Sequence, residues 1–495
     1  MSTADCEVAV VGLGPVGGIL ANLLGLAGLS VTVLDRELAA LELPRGVGID
    51  AEIMRVVQTL GLAGKLEPLL KVFRGAQYLD AGGEVVSTRP GVTGPGPQGW
   101  PARYNVHQPE FEGVLREGLA ARENVTVLAG HEVDEVRNED PFGGMVAGRD
   151  LASGERVTVR ARYVVGCDGA RSVVRRAAGL ELDDFGLNQP WVVTDFAVSD
   201  QAGLPPVNTH YADPESPAIY IHVVRNLRRF EFRGKPGEDL TDATTPEAAW
   251  KRVARWLTPD QGELLRAAVY THRSLVARHW RAGPLIVAGD AAHQTPPFLG
   301  QGLCTGVRDA MSLAWRLKTV VGDGAPDALL DSYETERSGH ARFYIQTSTS
   351  LGNALSSPDK ATLEALNARV GREGSGAAPR LGPGLFEPGP GVGGTLAPQP
   401  RLDGGRLLDD VTGYRFALVT RARLPEETAG LAAAAGLRVA EATGDAAGWL
   451  SDLGADSVII RPDRYYYGAY TDLAELDHAV RAIAAAVTSV TGGTQ

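Results

Sequence analysis

Val287–Asp309 reads VAGDAAHQTPPFLGQGLCTGVRD, and the fold turns on how this stretch is parsed. The apolar run Leu285–Ala288 predicts a short strand that stops at Gly289-Asp290. A polar, proline-containing turn follows. Gly300-Gln301-Gly302 then opens an amphipathic helix through Arg308, Asp309, Ala310, Leu313, Ala314 and Leu317. Strand, glycine loop and helix start together point backbone N–H groups outward at a helix N-terminus, a site suited to an anion or to an electron-rich ring edge. Asp290, at the strand end, is placed to accept hydrogen bonds from a polyol. An ordinary strand-to-helix turn with a capping Asp would read the same way, so the rest of the chain has to decide.

The N-terminus decides strongly. EVAVVG, over Glu7–Gly12, predicts a fully buried strand, and Gly12-Leu13-Gly14-Pro15-Val16-Gly17 fits G-x-G-x-x-G. A helix is expected from about Pro15 to Ala27 and a second strand over Ser30–Leu34, with Asp35 at its end followed by Arg36. The glycines allow a tight turn and close backbone approach to a pyrophosphate, and the terminal acid can take both hydroxyls of an adenosine ribose. No charged residue occurs from Val8 to Leu34, but glycine punctuation favours strand–turn–helix over a membrane span.

A third strand–turn–helix signal is RYVVGCDGAR at 162–171, in which Asp168 can cap a helix. Arg45, before Gly46 and Gly48, can reach a phosphate or a ring edge, or simply form a surface ion pair. Gln108 precedes a helix expected over 109–122 and is either a ligand contact or its cap. From Trp191 to Phe232 the texture becomes that of antiparallel strands, and alternation puts Tyr220, His222 and Val224 on one face. Residues 245–268 are expected to be helical, with strand returning over 268–276. Residues 356–405 are rich in Gly, Pro and Ala and predict a linker or arm. The segment after it has β-α-β texture.

Composition excludes several classes. The chain has 495 residues, 44% of them hydrophobic, and a net charge of −12 with no long basic run, which argues against nucleic acid as a partner. Cys6, Cys167 and Cys304 form no CxxC, so neither a disulfide framework nor a metal site is expected, and the cytoplasm is the simplest setting.

With Gly12, Gly14 and Gly17, Asp168-Gly169 and Gly289-Asp290 in this order, the chain resembles the class A flavoprotein aromatic monooxygenases of the para-hydroxybenzoate hydroxylase type. Stretches such as PRGVGIDAE at 44–52, RRFEF at 228–232 and IIRPDRYYYGA at 459–469 carry the likeness across nearly the whole chain. The resemblance implies an α/β fold. A Rossmann-like FAD-binding domain would take 1–75, 102–185 and 270–355, and an inserted antiparallel substrate sheet 76–101 and 186–269. A thioredoxin-like domain at 406–495 would follow the 356–405 arm.

It also implies residue roles. Gly12, Gly14, Pro15, Val16 and Gly17 would cradle the pyrophosphate of FAD, with Asp35 and Arg36 at the adenosine ribose. Arg45, Gln108, Val133 and Asp168 would add contacts. Asp290 would hold the ribityl chain, and Pro297, Gly300, Gly302, Leu303 and Cys304 would border the isoalloxazine. Cys304 stands where Asn is common in the family, and Asp35 where Glu is common.

The chemistry implied is transfer of oxygen from O2 to a phenolic ring through a flavin C4a-hydroperoxide, with NADH or NADPH as reductant. His210, Tyr220, His222, Phe232, Pro296 and Pro297 are the expected substrate-lining residues, Tyr220 and His222 the candidate proton-handling groups, and His293 a structural residue near the Asp290 turn. A monomer or homodimer acting on a small aromatic or polyketide substrate is expected, with no membrane or metal. The competing readings are epoxidation, Baeyer–Villiger insertion or antibiotic tailoring on the same cofactor, a flavin-free nicotinamide dehydrogenase, and a non-catalytic flavin-binding scaffold.

Overall fold

The computed structural model describes residues 5–40, 45–139, 143–235, 237–354, 361, 379–389 and 391–487. Much of the expected arm, residues 356–360 and 362–378, lies outside the described residues, as does Pro44.

Five parallel strands form the centre of the first sheet, in the order Leu285–Val287, Arg156–Gly166, Cys6–Val11, Val31–Asp35 and Val125–Ala129. Val8, Ala9 and Val10 are wholly buried, as a parallel strand covered on both faces requires. His131–Asn138 and Gly144–Asp150 fold back antiparallel on the outer half of Arg156–Gly166. All the motif loops leave the carboxyl ends of these strands: Gly12 after Val11, Asp35 itself, Asp168 after Gly166, and Asp290 after Val287. Ligands of open α/β sheets bind at that edge.

A second sheet of eight strands runs His293–Gln294, Gly262–Ala277, Leu182–Val198, Leu227–Arg233, Ala218–His222, Asn208–Ala212, Gly75–Asp80 and Val85–Pro90. Pairing is antiparallel except between Asn208–Ala212 and Gly75–Asp80. The expected helix over 245–268 is corrected: helix Pro246–Val253 ends early, and Gly262–Ala277 is a long strand. ELLRAAVY at 263–270 carries apolar residues compatible with either period, and pairing along nearly the whole of Leu182–Val198 decides for strand. Both long strands also cross the sequence-expected boundaries at 185/186 and 269/270.

The C-terminal unit runs strand Ala417–Thr420, helix Glu426–Ala434, strand Arg438–Glu441, helix Asp445–Asp452, strands Ser457–Ile460 and Tyr466–Tyr470, and helix Leu473–Val487. Its sheet order is Arg438–Glu441, Ala417–Thr420, Ser457–Ile460, Tyr466–Tyr470, with only the first pair parallel.

Charged groups lock this unit to the first sheet's helices. Glu336, on the long helix Asp331–Ala354, accepts from Arg316 at 2.5 Å and from both terminal nitrogens of Arg461 at 2.9 and 2.5 Å, all three side chains being fully buried. Asp463 bridges Arg461 at 2.7 Å and accepts from the Trp315 indole at 3.0 Å. A second lock pairs Arg55 with Asp409 at 2.8 and 2.9 Å.

Burial alone would raise the Glu336 carboxyl, but Arg316 and Arg461 outweigh it and hold the group below the ordinary glutamate range. Glu336→Ala should remove the carboxylate hydrogen-bonded to Arg316 and one of the two on Arg461, and cost about 3–5 kcal/mol, read as a lower melting temperature. A depressed carboxyl contributes stability that is complete above its unfolded value and is lost as pH falls through the folded one. The gap in melting temperature between wild type and Glu336→Gln should therefore narrow below pH about 4.3.

Candidate active site

The glycine loop is closed by sterics. Gly12 has φ +99°, and a Cβ there would stand 2.5 Å from the Cys167 carbonyl oxygen. A Cβ on Gly17 would fall 1.9 Å from the Gly12 carbonyl oxygen. Gly14 is the opposite case: a Cβ there meets nothing within 4 Å. Gly12 and Gly17 thus hold the turn, and Gly14 faces open space beside a helix start, Pro15–Leu26, that no side chain caps. Free N–H groups opening on a side-chain-free space are what a pyrophosphate requires, so the loop fits the dinucleotide.

Asp35 closes the loop from the neighbouring strand. One carboxylate oxygen accepts from the Leu13 N–H at 2.5 Å and the other from the Glu37 N–H at 2.7 Å. Each oxygen keeps lone-pair capacity for a ribose hydroxyl. Arg36 points outward, 65% exposed, and bonds Glu37. Val133 is partly buried against the main core.

Asp290 lies at the floor of a cleft. Its side chain is solvent-accessible, yet it is hemmed in by protein, and that burial raises its carboxyl while Arg45 and His293 pull it down. It makes no hydrogen bond to the described residues, which leaves both oxygens for a polyol. Arg45 is exposed above it. Gln108 is differently placed than a free contact: its oxygen accepts from the Arg45 and Gly46 N–H groups at 3.0 and 2.7 Å, and its amide donates to Glu112 at 2.7 Å. Both ends are committed, so Gln108 acts on the cleft by fixing the Arg45–Gly46 loop. Asp168 caps helix Val173–Ala177, one oxygen accepting from Val173 at 2.6 Å, while the other is buried without a partner.

Helix Gly302–Leu317 starts without a side-chain cap, leaving its first N–H groups for a carbonyl edge. Leu303 packs against Gly46, so the two loops that would border the ring system meet. Gly300 adopts a left-handed conformation at φ +63°. The Cys304 thiol is wholly buried and faces the Gly48 carbonyl at 3.9 Å. Burial pushes it well above its ordinary range, so it is a packing group and not a nucleophile. His293 is structural, as expected, bonding Asp309 at 2.7 Å.

The sheet face turned toward this cleft was misread from alternation. Phe298, of the Pro297–Leu299 turn, packs with Trp191, Tyr78, Ile219, Phe73 and Leu351. The Trp191 and Phe298 rings are 5.4 Å apart, and His272 lies 5.8 and 5.9 Å from them. Tyr220 and Phe232 are corrected to the opposite face, where they pack with Phe196, Phe230 and Val253 under helix Pro246–Val253. His222 shares the parity of Tyr220 and sits at a strand end with Nε2 bonded to the Arg225 carbonyl at 3.1 Å. Both faces of these strands are buried, so polarity alternation carries no sign of which face is which. His210 is on the cleft-side face, stacked on Tyr78 at 4.6 Å, and Pro296 is buried with Pro297 half-exposed beside it. Trp191 and His272 lie in stretches expected to be strands, and they were missed because alternation on strands buried on both faces does not mark the cleft-side face.

Gly14→Val should leave the unfolding free energy of the flavin-free protein within about 0.5 kcal/mol of wild type, since nothing stands where the Cβ would go. It should nevertheless lower FAD occupancy, read by absorbance of the purified protein. Gly17→Val should fail to fold. Asp290→Ala should weaken FAD binding about tenfold or more, the worth of a charge-assisted hydrogen bond, in a titration of the flavin-free protein.

Comparison with known proteins agrees with this geometry. The family described as "FAD binding domain" matches residues 5–348. The chain is 35% identical over 515 residues to a probable NADH-specific resorcinol 4-hydroxylase of Rhodococcus jostii, covering 98% of this chain and 96% of that one. It is 34% identical over 527 residues to a 3-(3-hydroxy-phenyl)propionate/3-hydroxycinnamic acid hydroxylase of Mycobacterium avium, covering 94% and 89%. Its fold is similar to that of aklavinone-11 hydroxylase, solved with FAD and aklavinone, with a TM-score of 0.84 at 22% identity over 98% of this chain and 99% of that one. With the glycine loop, Asp290 and the uncapped Gly302 helix set around one cleft, the chain belongs to the FAD-binding-domain family of flavoprotein aromatic monooxygenases.

Proposed function

We propose that the protein hydroxylates a phenolic ring, using FAD, O2 and a nicotinamide coenzyme, with NADH the first choice because the Rhodococcus relative is named as NADH-specific. The observation that carries this reading is the aromatic wall of Trp191, Phe298 and His272 placed directly beside the Gly300–Gly302 loop. Bound FAD, once reduced, supplies the activation of O2 and the transfer of one oxygen atom to an electron-rich ring. The chain's own residues do the remainder. The glycine loop, Asp35 and Asp290 hold the cofactor. Trp191, Ile219, Phe298 and Leu351 exclude water from the ring's side.

His272 replaces Tyr220 and His222 as the proton-handling candidate. Burial lowers it to about 4, so it is neutral at neutral pH, and its Nε2 is buried without a partner. A phenol hydrogen-bonded there gains electron density at the ring carbons. The C-terminal unit reads as thioredoxin-like on its strand order, and the absence of CxxC makes it structural. No helix among the described residues is long and apolar enough to cross a membrane, and the three cysteines are unpaired, which supports a cytosolic setting. We assign a monomer or homodimer, separable by sedimentation.

The test is oxidation of NADH by flavin-loaded protein across a panel of phenols. At least one should stimulate it and yield a product heavier by one oxygen atom. No stimulation by any phenol would refute the assignment. His272→Ala should release several-fold more hydrogen peroxide per NADH, and Tyr220→Phe should keep wild-type coupling, because it lies on the far face of the sheet.

A further inference from the structure

A strained turn and a cluster of cations share one corner of the molecule. Arg225 closes the turn between strands Ala218–His222 and Leu227–Arg233 with φ +44°, a region that a non-glycine residue rarely occupies. It is held there from two sides. Its guanidinium donates to both oxygens of Glu110, on helix Gln108–Ala120, at 2.7 and 2.8 Å. Its carbonyl accepts from Arg228 at 2.7 Å and faces His222 Nε2 at 3.1 Å. Strain of this kind persists where the surroundings over-determine it, and it gathers at functional sites.

Three cations stand at this corner without an acid of their own. Arg228 and Lys71 are half-buried and Arg74 is exposed. None has a carboxylate within ion-pair distance among the described residues. The Arg228 Nη1 is spent on neutral groups, the Arg225 and Leu227 carbonyls, and Asp200 bears on Arg228 by charge alone. Burial, then Arg228, then Arg74 push the Lys71 ammonium down to about 8, and no other described lysine is so displaced. Burial and the same cations lower His222 to about 4, which leaves it neutral. The chain has 48 basic side chains against 60 acidic ones, yet here three cations face one another. An anion from outside the chain would relieve them.

The corner's position bears on what that anion is. Lys71 lies in register with Asn105, and Asn105 with Gly48, which follows the Arg45–Gly46 loop beside Asp290. The Asn105 amide donates to the His222 carbonyl at 2.6 Å, and Arg229, next to Arg228, donates to the Arg45 carbonyl at 3.0 Å. The cluster thus adjoins the loop that borders the cleft. The G-x-G-x-x-G loop is assigned to FAD, so a second dinucleotide must be held by side chains. Of the reactants in the hydroxylation, the nicotinamide coenzyme is the one that brings a diphosphate. Resting on the hydroxylase reading, we propose that Lys71, Arg74 and Arg228 dock the diphosphate of the nicotinamide coenzyme at the rim of the flavin cleft. The pinned turn fixes Arg228, and Lys71 and Arg74 close on the anion from the neighbouring strand and the residues after it. The diphosphate of FAD is a second source of the same chemistry, and the experiment separates the two.

The experiment is calorimetric titration of flavin-loaded protein with ADP-ribose, the coenzyme without its nicotinamide, and of flavin-free protein with FAD. Wild type should bind ADP-ribose, more weakly as salt rises. Lys71→Met and Arg74→Met should each weaken it a few-fold, because both contacts are partly screened, and the double variant should weaken it about tenfold or more. The KM for NADH should rise in step. Lys71→Arg should keep most of the affinity. Lys65→Met, which removes another exposed cation, one paired with Glu117, should keep all of it. FAD affinity should not change in any of them. No binding of ADP-ribose by wild type, an affinity that survives the double variant, an equal loss in Lys65→Met, or a loss of FAD affinity in its place would overturn the site. ADP-ribose affinity lost in the double variant, with no NADH oxidation by wild type under any phenol, would instead overturn the hydroxylase reading and leave the coenzyme site standing.

Discussion

The carboxylate of Asp309 is the constraint on which the cleft depends. It is wholly buried on helix Gly302–Leu317 and accepts from the Gly289 N–H at 3.1 Å, from His293 at 2.7 Å and from Arg337 at 3.0 Å. Burial would raise it, but His293 and Arg337 more than compensate and keep it ionised. One oxygen pair thereby ties four segments together: the helix that starts at the cleft, the turn that presents Asp290, the short strand His293–Gln294 that joins the second sheet, and the long helix Asp331–Ala354. The same helix must also approach Pro15–Leu26 closely. A Cβ on Gly306 would stand 2.6 Å from Val16 and 3.0 Å from the Gly289 Cα, so the glycine loop and the Asp290 turn are held at fixed separation by van der Waals contact.

That arrangement explains how a chain with so little chemistry of its own builds a reactive centre. The reacting group is the cofactor's, and the protein must place it, dry its ring face and hold one phenol beside it. In the proposed function, cofactor-holding atoms come from the carboxyl edge of the parallel sheet, and substrate-facing atoms from one face of the antiparallel sheet. The turn Pro297–Leu299 sits between them. Ser348 secures that turn, donating to the Pro296 carbonyl at 2.7 Å and accepting from the Leu299 N–H at 3.3 Å, and Phe298 rests on Gly352 where any side chain would collide with its ring. The long helix thus sets the distance between the two halves of the site.

The C-terminal unit reaches the same core from the other side. Its Tyr465 hydroxyl donates to Glu52 at 3.1 Å, and Glu52 accepts from Arg308 at 2.5 Å, on the helix that bears Asp309. Arg464, at φ +73° and 2% exposed, pairs with Asp409 and donates to the Gly413 carbonyl. A non-glycine residue held in that region persists only where its surroundings over-determine it, and here they do through paired charge. Removing Asp409 alone would leave both Arg55 and Arg464 without it, which is far costlier than replacing the whole seam by apolar groups.

By itself the sequence determined what short-range chemistry determines. Gly17 is demanded by the Gly12 carbonyl five residues earlier, the acids stand at strand ends, and a helix start free of capping side chains can be recognised wherever a glycine precedes an apolar period. These are local steric and hydrogen-bonding rules, which is why the glycine loops and strand-end acids expected to hold the cofactor could be placed from the sequence. Tertiary structure alone decided the substrate half. Strands buried on both faces lose the polar alternation that marks an inside, so Tyr220 and Phe232 fell to the helix-covered face and Trp191 and His272 to the cleft. Gln108 could be seen before its helix but not its bonds to Arg45 and Gly46, more than sixty residues away in sequence. Lys71 and Arg228 come from strands in different sheets and are brought close only by long-range packing that no local pattern encodes.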